Sequence, residues 1–305
     1  MTLVNNRVGK PQAFVINGID AGGAMSLSGQ EGYEEITRGS ADGFGAQVVE
    51  RETQFCRGTS VTQDMVHLID LLTGTLGTYV CYERKSGAPE ATGYIKHTFT
   101  NPIIHRVNFS QKQGSFVTIK ADFECRAATE TATVADMHSI LDSQAAPTWT
   151  VPILGGYRVV SALYGTGPGI AIHHVTDFDF SITLQLAKAC NDGDLAYTAV
   201  DAYLDGMQTA GSIGFQDSGI ASSKLTSQQL LLASIANLVL TVKQSQGAAN
   251  KIITIARALF LTAGGNSDTT KQYSDYKATF EVSNLLATPL TLAGTNKIIA
   301  IADAT

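Results

Sequence analysis

Hydrophobic and polar residues alternate without a fault through VTIKADFECR, residues 117–126. Val117, Ile119, Ala121, Phe123 and Cys125 fall on one side, and Thr118, Lys120, Asp122, Glu124 and Arg126 on the other. A period of two marks a strand with one face buried and one face wet. The pattern returns as Tyr276-Lys277-Ala278-Thr279-Phe280-Glu281-Val282, 157 residues after Ile119–Cys125, with every apolar position still apolar. The chain therefore reads as two copies of one β-rich unit.

The flanking stretches support this reading. In the first copy, strands are expected at 13–16, 24–28, 33–37 and 47–56, with tight turns at the many glycines between 21 and 45. Ser60-Val61-Thr62-Gln63 has the form of a capping box, and Val61, Met65, Leu68, Ile69 and Leu72 follow at helical spacing up to Gly74. A hairpin is expected from 78–84 and 94–100 around the loop Lys85–Gly93, then a strand at 103–110. Residues 127–156, with Pro147, Trp149 and Pro152, read as a linker with a short amphipathic piece at 134–141.

The second copy runs in the same order. Strands are expected at 157–164 and 177–186, and 196–204 is ambiguous between strand and helix. Thr226-Ser227-Gln228-Gln229 is a second capping box, opening a leucine-rich helix. Strands at 238–244 and 251–261 flank the loop Ser245–Asn250, and the tail adds strands near 290–292 and 298–301. The expected division is a first β domain at 1–126, a linker at 127–156 and a second β domain at 157–305. The fold class is mainly β with one helix per repeat, as two tandem sandwich or split-barrel domains.

Composition narrows the functions. Only 16% of residues are charged and mean hydropathy is +0.06, which suits a surface largely covered by other copies of the chain. Net charge is −6 and no Lys/Arg run occurs, so a nucleic-acid grip is not expected. Cys56, Cys81, Cys125 and Cys190 have no CxxC spacing and read as structural thiols. The N-terminal MTLVNNRVGKPQ has no apolar core of a leader peptide, and no stretch approaches the roughly 18 apolar residues of a membrane span.

No catalytic motif emerges. GTGPG at 165–169 lacks a following GK[ST] and reads as a β-turn. His173, His174, Asp177 and Asp179 have metal-ligand types, yet the aspartates are the polar alternates of a strand. His67, His97 and His105 lie scattered, and Glu34-Glu35 and Glu50 with Glu52 read as solvated positions. Trp149 is expected to seal the linker against one domain. No cofactor, metal or catalytic residue is assigned. Lys120 with Glu124, and Lys277 with Glu281, stand about 13 Å apart along their strands. Each either meets a neighbouring strand or subunit or simply solvates the face.

GYEEITRGSADGFGAQVVE (32–50), SVTQDMVHLIDLL (60–72) and GSFVTIKADFECRA (114–127), with their weaker second-half counterparts, resemble the tail tube proteins of long-tailed bacteriophages. The resemblance lies in element order across most of the chain. It implies a ring of six tube domains, hence three two-domain chains with pseudo-sixfold symmetry, stacked into a tube. The inner strands would form a β-barrel around a lumen through which double-stranded DNA passes without specific binding. Further partners would be the tape measure, terminator and baseplate proteins, with the tube in the virion tail after assembly in the host cytoplasm. A baseplate hub, a tail completion protein and a capsid accessory protein are alternatives, as is a ligand- or metal-binding β-protein built on HHVTDFD. The barrel-wall candidates are Val117, Ile119, Lys120, Phe123, Glu124, Tyr276, Lys277, Phe280 and Glu281. On this reading Phe123→Asp or Phe280→Asp blocks assembly, not merely local folding.

Overall fold

The computed structural model describes residues 10–16, 19–38, 48–63, 78–85, 87–89, 91–125, 133–147, 157–165, 169–189, 201–217, 220–244, 250–266, 274–284, 290–291 and 296–303. Its strands run in chain order as β1 (Lys10–Ile16), β2 (Ile19–Arg38), β3 (Val48–Thr62), β4 (Thr78–Arg84), β5 (Tyr94–Thr100), β6 (Pro102–Gln111) and β7 (Thr118–Cys125). The short helix α1 (Val134–Met137) and β8 (His138–Gln144) complete the first half. The second half holds β9 (Tyr157–Tyr164), β10 (Ile170–Ile172), β11 (Val175–Ala189), β12 (Asp201–Asp217), α2 (Ile220–Leu232), β13 (Ala236–Gln244), β14 (Lys251–Asn266), β15 (Ser274–Val282) and β16 (Ile299–Asp303). The protein is mainly β, its named strands pair antiparallel, and among the described residues the sheet does not close into a barrel.

The two alternating stretches occupy equivalent places. Strand β7 lies between β3 and β6, and β15 lies between β12 and β14. Phe123 is opposite Gly58, and Phe280 is opposite Gly211. A Cβ on either glycine would enter the space of the phenylalanine ring, so each ring lies flat across its neighbouring strand. The irregularities match as well. The register slips between Ile104 and Arg106 on β6 and between Phe260 and Thr262 on β14. It also slips between Ala24 and Ser26 on β2 and between Val175 and Asp177 on β11. Asn101 (φ 48°) links β5 to β6, and Arg257 (φ 51°) sits at the matching point inside β14. Bulges and left-handed residues at the same places mean that both halves bend their strands alike.

Each half has two facing layers. In the first, β1-β4-β5-β8 faces β2-β3-β7-β6, and β2 joins both, pairing with β1 near Asp20 and with β3 from Ala24 onward. Phe123 fills the gap, 5.1 Å from Tyr79 and 4.9 Å from Phe99 between ring centroids. In the second half Phe280 lies 5.8 Å from Phe180 and 5.4 Å from Phe260, which in turn meets Tyr164 at 4.9 Å. The halves are joined by β6 and β11, which pair from Arg106↔Thr183 to Gln111↔Phe178. Beside this seam the Val159 N–H donates to the buried Gln111 side-chain carbonyl at 2.6 Å, and the Val117 N–H donates to the Tyr157 carbonyl at 2.8 Å.

Several expectations change. Strand β2 runs unbroken through the glycines that suggested turns, because β3 pairs with it from Ala24 to Arg38 and absorbs the mismatches as bulges. Ser60, Val61 and Thr62 are the end of β3, not a helix cap. Ser and Thr hydroxyls suit a paired strand as well as a helix start. The rest of that helix, and His67, Trp149 and Cys190, lie outside the described residues. Helix α2 begins six residues before its capping box and ends at Leu232. The stretch expected as a linker contains α1 and β8, and β8 pairs with β5 from Phe99↔His138 to Tyr94↔Gln144. Strand β14 extends through Gly264 and Gly265 to Asn266, beyond the end expected at 261.

Candidate functional site

Residues directly opposite one another in an antiparallel pair point to the same face. Following that rule across the sheet gives one broad face spanning eight strands in the order β2-β3-β7-β6-β11-β12-β15-β14. One line across it reads Ser28, Thr59, Asp122, Arg106, Thr183 and Gln208. Another reads Ser110, Asp179, Ser212, Thr279 and Thr262. This is the polar half of both alternating strands, laid side by side.

Local bonding ties the face together. Arg57 Nε lies 3.1 Å from Glu124 Oε2, and Thr59 Oγ1 donates to Asp122 Oδ1 at 2.6 Å. Lys120 Nζ is 3.4 Å from Asp122. Across the seam Asn108 Nδ2 lies 3.2 Å from both oxygens of Asp179. Thr262 and Thr279 share a hydrogen bond at 2.5 Å. Glu124 thus pairs with the neighbouring strand and Lys120 with its own, and neither reaches the other. The cations Arg57, Arg106, Lys120 and Lys277 are interleaved with Asp122, Glu124, Asp177, Asp179 and Glu281, so the face is mixed in sign, not uniformly acidic.

The wall residues divide by parity. Val117, Ile119, Phe123 and Phe280 are at most 1% exposed, inside their own halves. Tyr276 stacks on Phe215 at 5.8 Å. Lys120 and Lys277 are exposed, as is Glu281, while Glu124 is half-buried. Phe123→Asp and Phe280→Asp would each place a carboxylate at a buried core position, so any loss of assembly in either variant would come together with damage to the fold of that half.

The face ends in two open edges. From Ser26 to Gly32, β2 pairs with β3 on one side, and among the described residues no strand lies on the other. From Thr262 to Asn266, β14 pairs, among the described residues, with β15 alone. Ser28, Gln30, Thr262 and Gly264 are exposed.

HHVTDFD does not assemble into a metal site. Thr176 Oγ1 donates to Asp177 at 3.2 Å, Asp179 faces the seam, and His174 occupies a turn with φ 49°. Gly165, the first residue of GTGPG, has φ 96° and its N–H donates to the Asn237 carbonyl at 2.9 Å, while residues 166–168 of that motif lie outside the described residues. His105 is the bulge residue of β6. Burial pushes the Tyr79 hydroxyl and the Cys81 thiol upward, which makes both poor nucleophiles. Among the described residues, the group with metal-ligand geometry is Glu31, Cys56 and His138. It was missed because its members span 107 positions and meet only through strand register. Placing the two halves in register would have exposed it. Among the described residues, no helix is long and apolar enough to cross a membrane. Neither a protein-family model nor a curated protein matches the chain.

Proposed function

We propose that this chain is a structural subunit that assembles head to tail into rings, as a virion tail tube protein would. The observation that carries this reading is the seam between the halves. Strands β2, β3, β7 and β6 correspond to β11, β12, β15 and β14, so the internal β6–β11 pairing has a counterpart between β14 of one chain and β2 of the next. Both of those edges are open. Long open edges are normally covered, and a head-to-tail contact gives a ring where its rotation closes. Three chains, each bringing eight strands, would complete the pseudo-sixfold ring that the sequence resemblance implies. The polar face would then line a lumen. Its mixed charge, with Arg57 and Lys120 paired to Glu124 and Asp122, gives DNA little to adhere to. The tape measure, terminator and baseplate proteins of a tail, and a place in the virion, belong to the same reading. A baseplate hub would use the same ring without stacking.

The register transfers directly. Ser181 opposite Asn108 at the seam corresponds to Gln30 opposite Gly264 between chains. Gly264 has open space around an added Cβ, so Gln30→Cys with Gly264→Cys is tolerated. Mild oxidation should give disulfide-linked multimers, ending in a closed covalent trimer on non-reducing gels. Negative-stain microscopy of the unmodified chain should show rings or tubes. A monodisperse monomer at high concentration, with no cross-link in the double variant, defeats the reading; isolated rings that never stack favour the hub.

A further inference from the structure

We propose that Glu31, Cys56 and His138 bind one zinc-class divalent cation that ties β8 to the β2–β3 layer, in the first half only. Cys56 on β3 is opposite Glu31 on β2 and opposite Cys125 on β7. The three form one rung on the inward face of the sheet. His138, at the start of β8, reaches that rung from the facing layer, and its Nδ1 contacts a Glu31 carboxylate oxygen. One donor atom from each of Glu31, Cys56 and His138 lies within 4.8 Å of the others. A tetrahedral site with metal–ligand bonds near 2.0–2.3 Å has ligand–ligand edges of about 3.5 Å, so the Glu31–His138 contact would open while a separation near the 4.8 Å limit would close by about 1 Å.

The surroundings are those of a ligating histidine. His138 stacks on Phe99 at 4.3 Å, with the rings 2° from parallel, which fixes the imidazole plane. With Nδ1 toward the cation, Nε2–H donates to His97 Nδ1, 3.2 Å away. His97 Nε2 is buried without an aligned hydrogen bond, 3.4 Å from a Glu83 oxygen. The chain from Glu83 through His97 to His138 is the kind of outer support that orients a metal ligand. Cys125, opposite Cys56 on β7, hydrogen-bonds to the Cys56 sulfur. A thiolate, an imidazole and a carboxylate together select zinc over calcium or magnesium.

The second half is the internal control. Register places Ile182, Thr209 and Val282 where the first half has Glu31, Cys56 and Cys125. Ile299 and Ile253 take the places of His138 and His97, and Val242 takes that of Glu83. The same backbone is thus filled by an ordinary apolar rung with one threonine, whose hydroxyl accepts from the Val282 N–H at 2.9 Å. The fold does not require polar groups here, since the second half builds the same rung from Ile182 and Thr209. A cation that all of them serve accounts for the set.

The test uses the full chain, purified without chelator, then loaded with zinc and desalted. Elemental analysis should find about one zinc per chain, and cobalt in its place should give a thiolate-to-cobalt absorption band. Glu31→Gln, Cys56→Ser and His138→Gln should each weaken binding at least about tenfold, and His97→Ala by about 10–100-fold. His174→Gln, outside the cluster, should bind as the unmodified chain does. The triple variant Glu31→Ile, Cys56→Thr, His138→Ile installs the second half's residues; it should fold by circular dichroism and take up no metal. A folded unmodified chain that takes up neither metal overturns the proposal. So does a triple variant that still binds zinc, or a metal-free chain with Cys56 and Cys125 joined as a disulfide. None of these outcomes bears on ring formation, so this proposal and the ring can fail separately.

Discussion

Around Phe123 the first half places Tyr79, Phe99 and, behind Phe99, His138 with Glu31 and two cysteines. Around Phe280 the second half places Phe178, Phe180 and Phe260, with Tyr164 behind. The backbones agree down to bulges and positive-φ residues, while the side chains between the layers differ: beside its phenylalanine the first half carries a polar cluster where the second carries apolar residues. Strand register is therefore what the two halves share, and it leaves the filling free to take on separate chemistry. Polar groups near Phe123 also give water a way in when a ring is removed; the aromatic cluster does not.

The largest expected effect tests that difference. Phe280→Ala should cost about 3–5 kcal/mol, toward the top of the range for a buried phenylalanine, and Phe123→Ala less. Urea unfolding of the single variants measures both, and equal losses would erase the distinction. Next come the glycines beneath the rings. Gly58→Ala and Gly211→Ala should each cost about 1–3 kcal/mol, because the ring must leave its place over the strand. Gly211→Ala combined with Phe280→Leu should lose less than the sum of the two single changes, and strict additivity would show that the close approach is not what matters. The smallest effect concerns one half alone. The Tyr164 hydroxyl lies 2.8 Å from the carbonyl oxygens of both Ser234 and Ala258, and its register counterpart is Ile16. Tyr164→Phe should cost about 1 kcal/mol, read as a shift in the denaturation midpoint, and no change would mean that water replaces the bond.

What could be read from the sequence was what repeats locally. The alternation in β7 and β15 and the β4–β5 hairpin are encoded by neighbours two to ten residues apart, and they stand where the pattern put them. The glycine-rich β2 could not be read that way. Gly29 and Gly32 look like turn residues until β3 is laid beside them, where Gly29 pairs with Gly58. Ser60 and Thr62 misled for a similar reason. Strand β8 has Ser139, Ile140, Leu141 and Asp142 all exposed, so no periodicity marks it, and only its pairing with β5 makes it a strand. The candidate face was half legible: the polar parity of Lys120, Glu124, Lys277 and Glu281 came from the pattern. Which residues lie next to them required the register.

The seam at β6 and β11 also sets an order of events during synthesis. Every described strand pairing of β1 to β8 other than β6 with β11 is made within residues 10–144. The first half can therefore complete its layers while the second is still on the ribosome. During that interval β6 presents a bare edge, with Gln111 waiting for the Val159 N–H. The β11 of an older, unfinished neighbour fits that edge as well as the chain's own. Crowded synthesis would then yield exchanged pairs of chains, each lending its second half to the other, unless the chain's own β11 reaches that edge first.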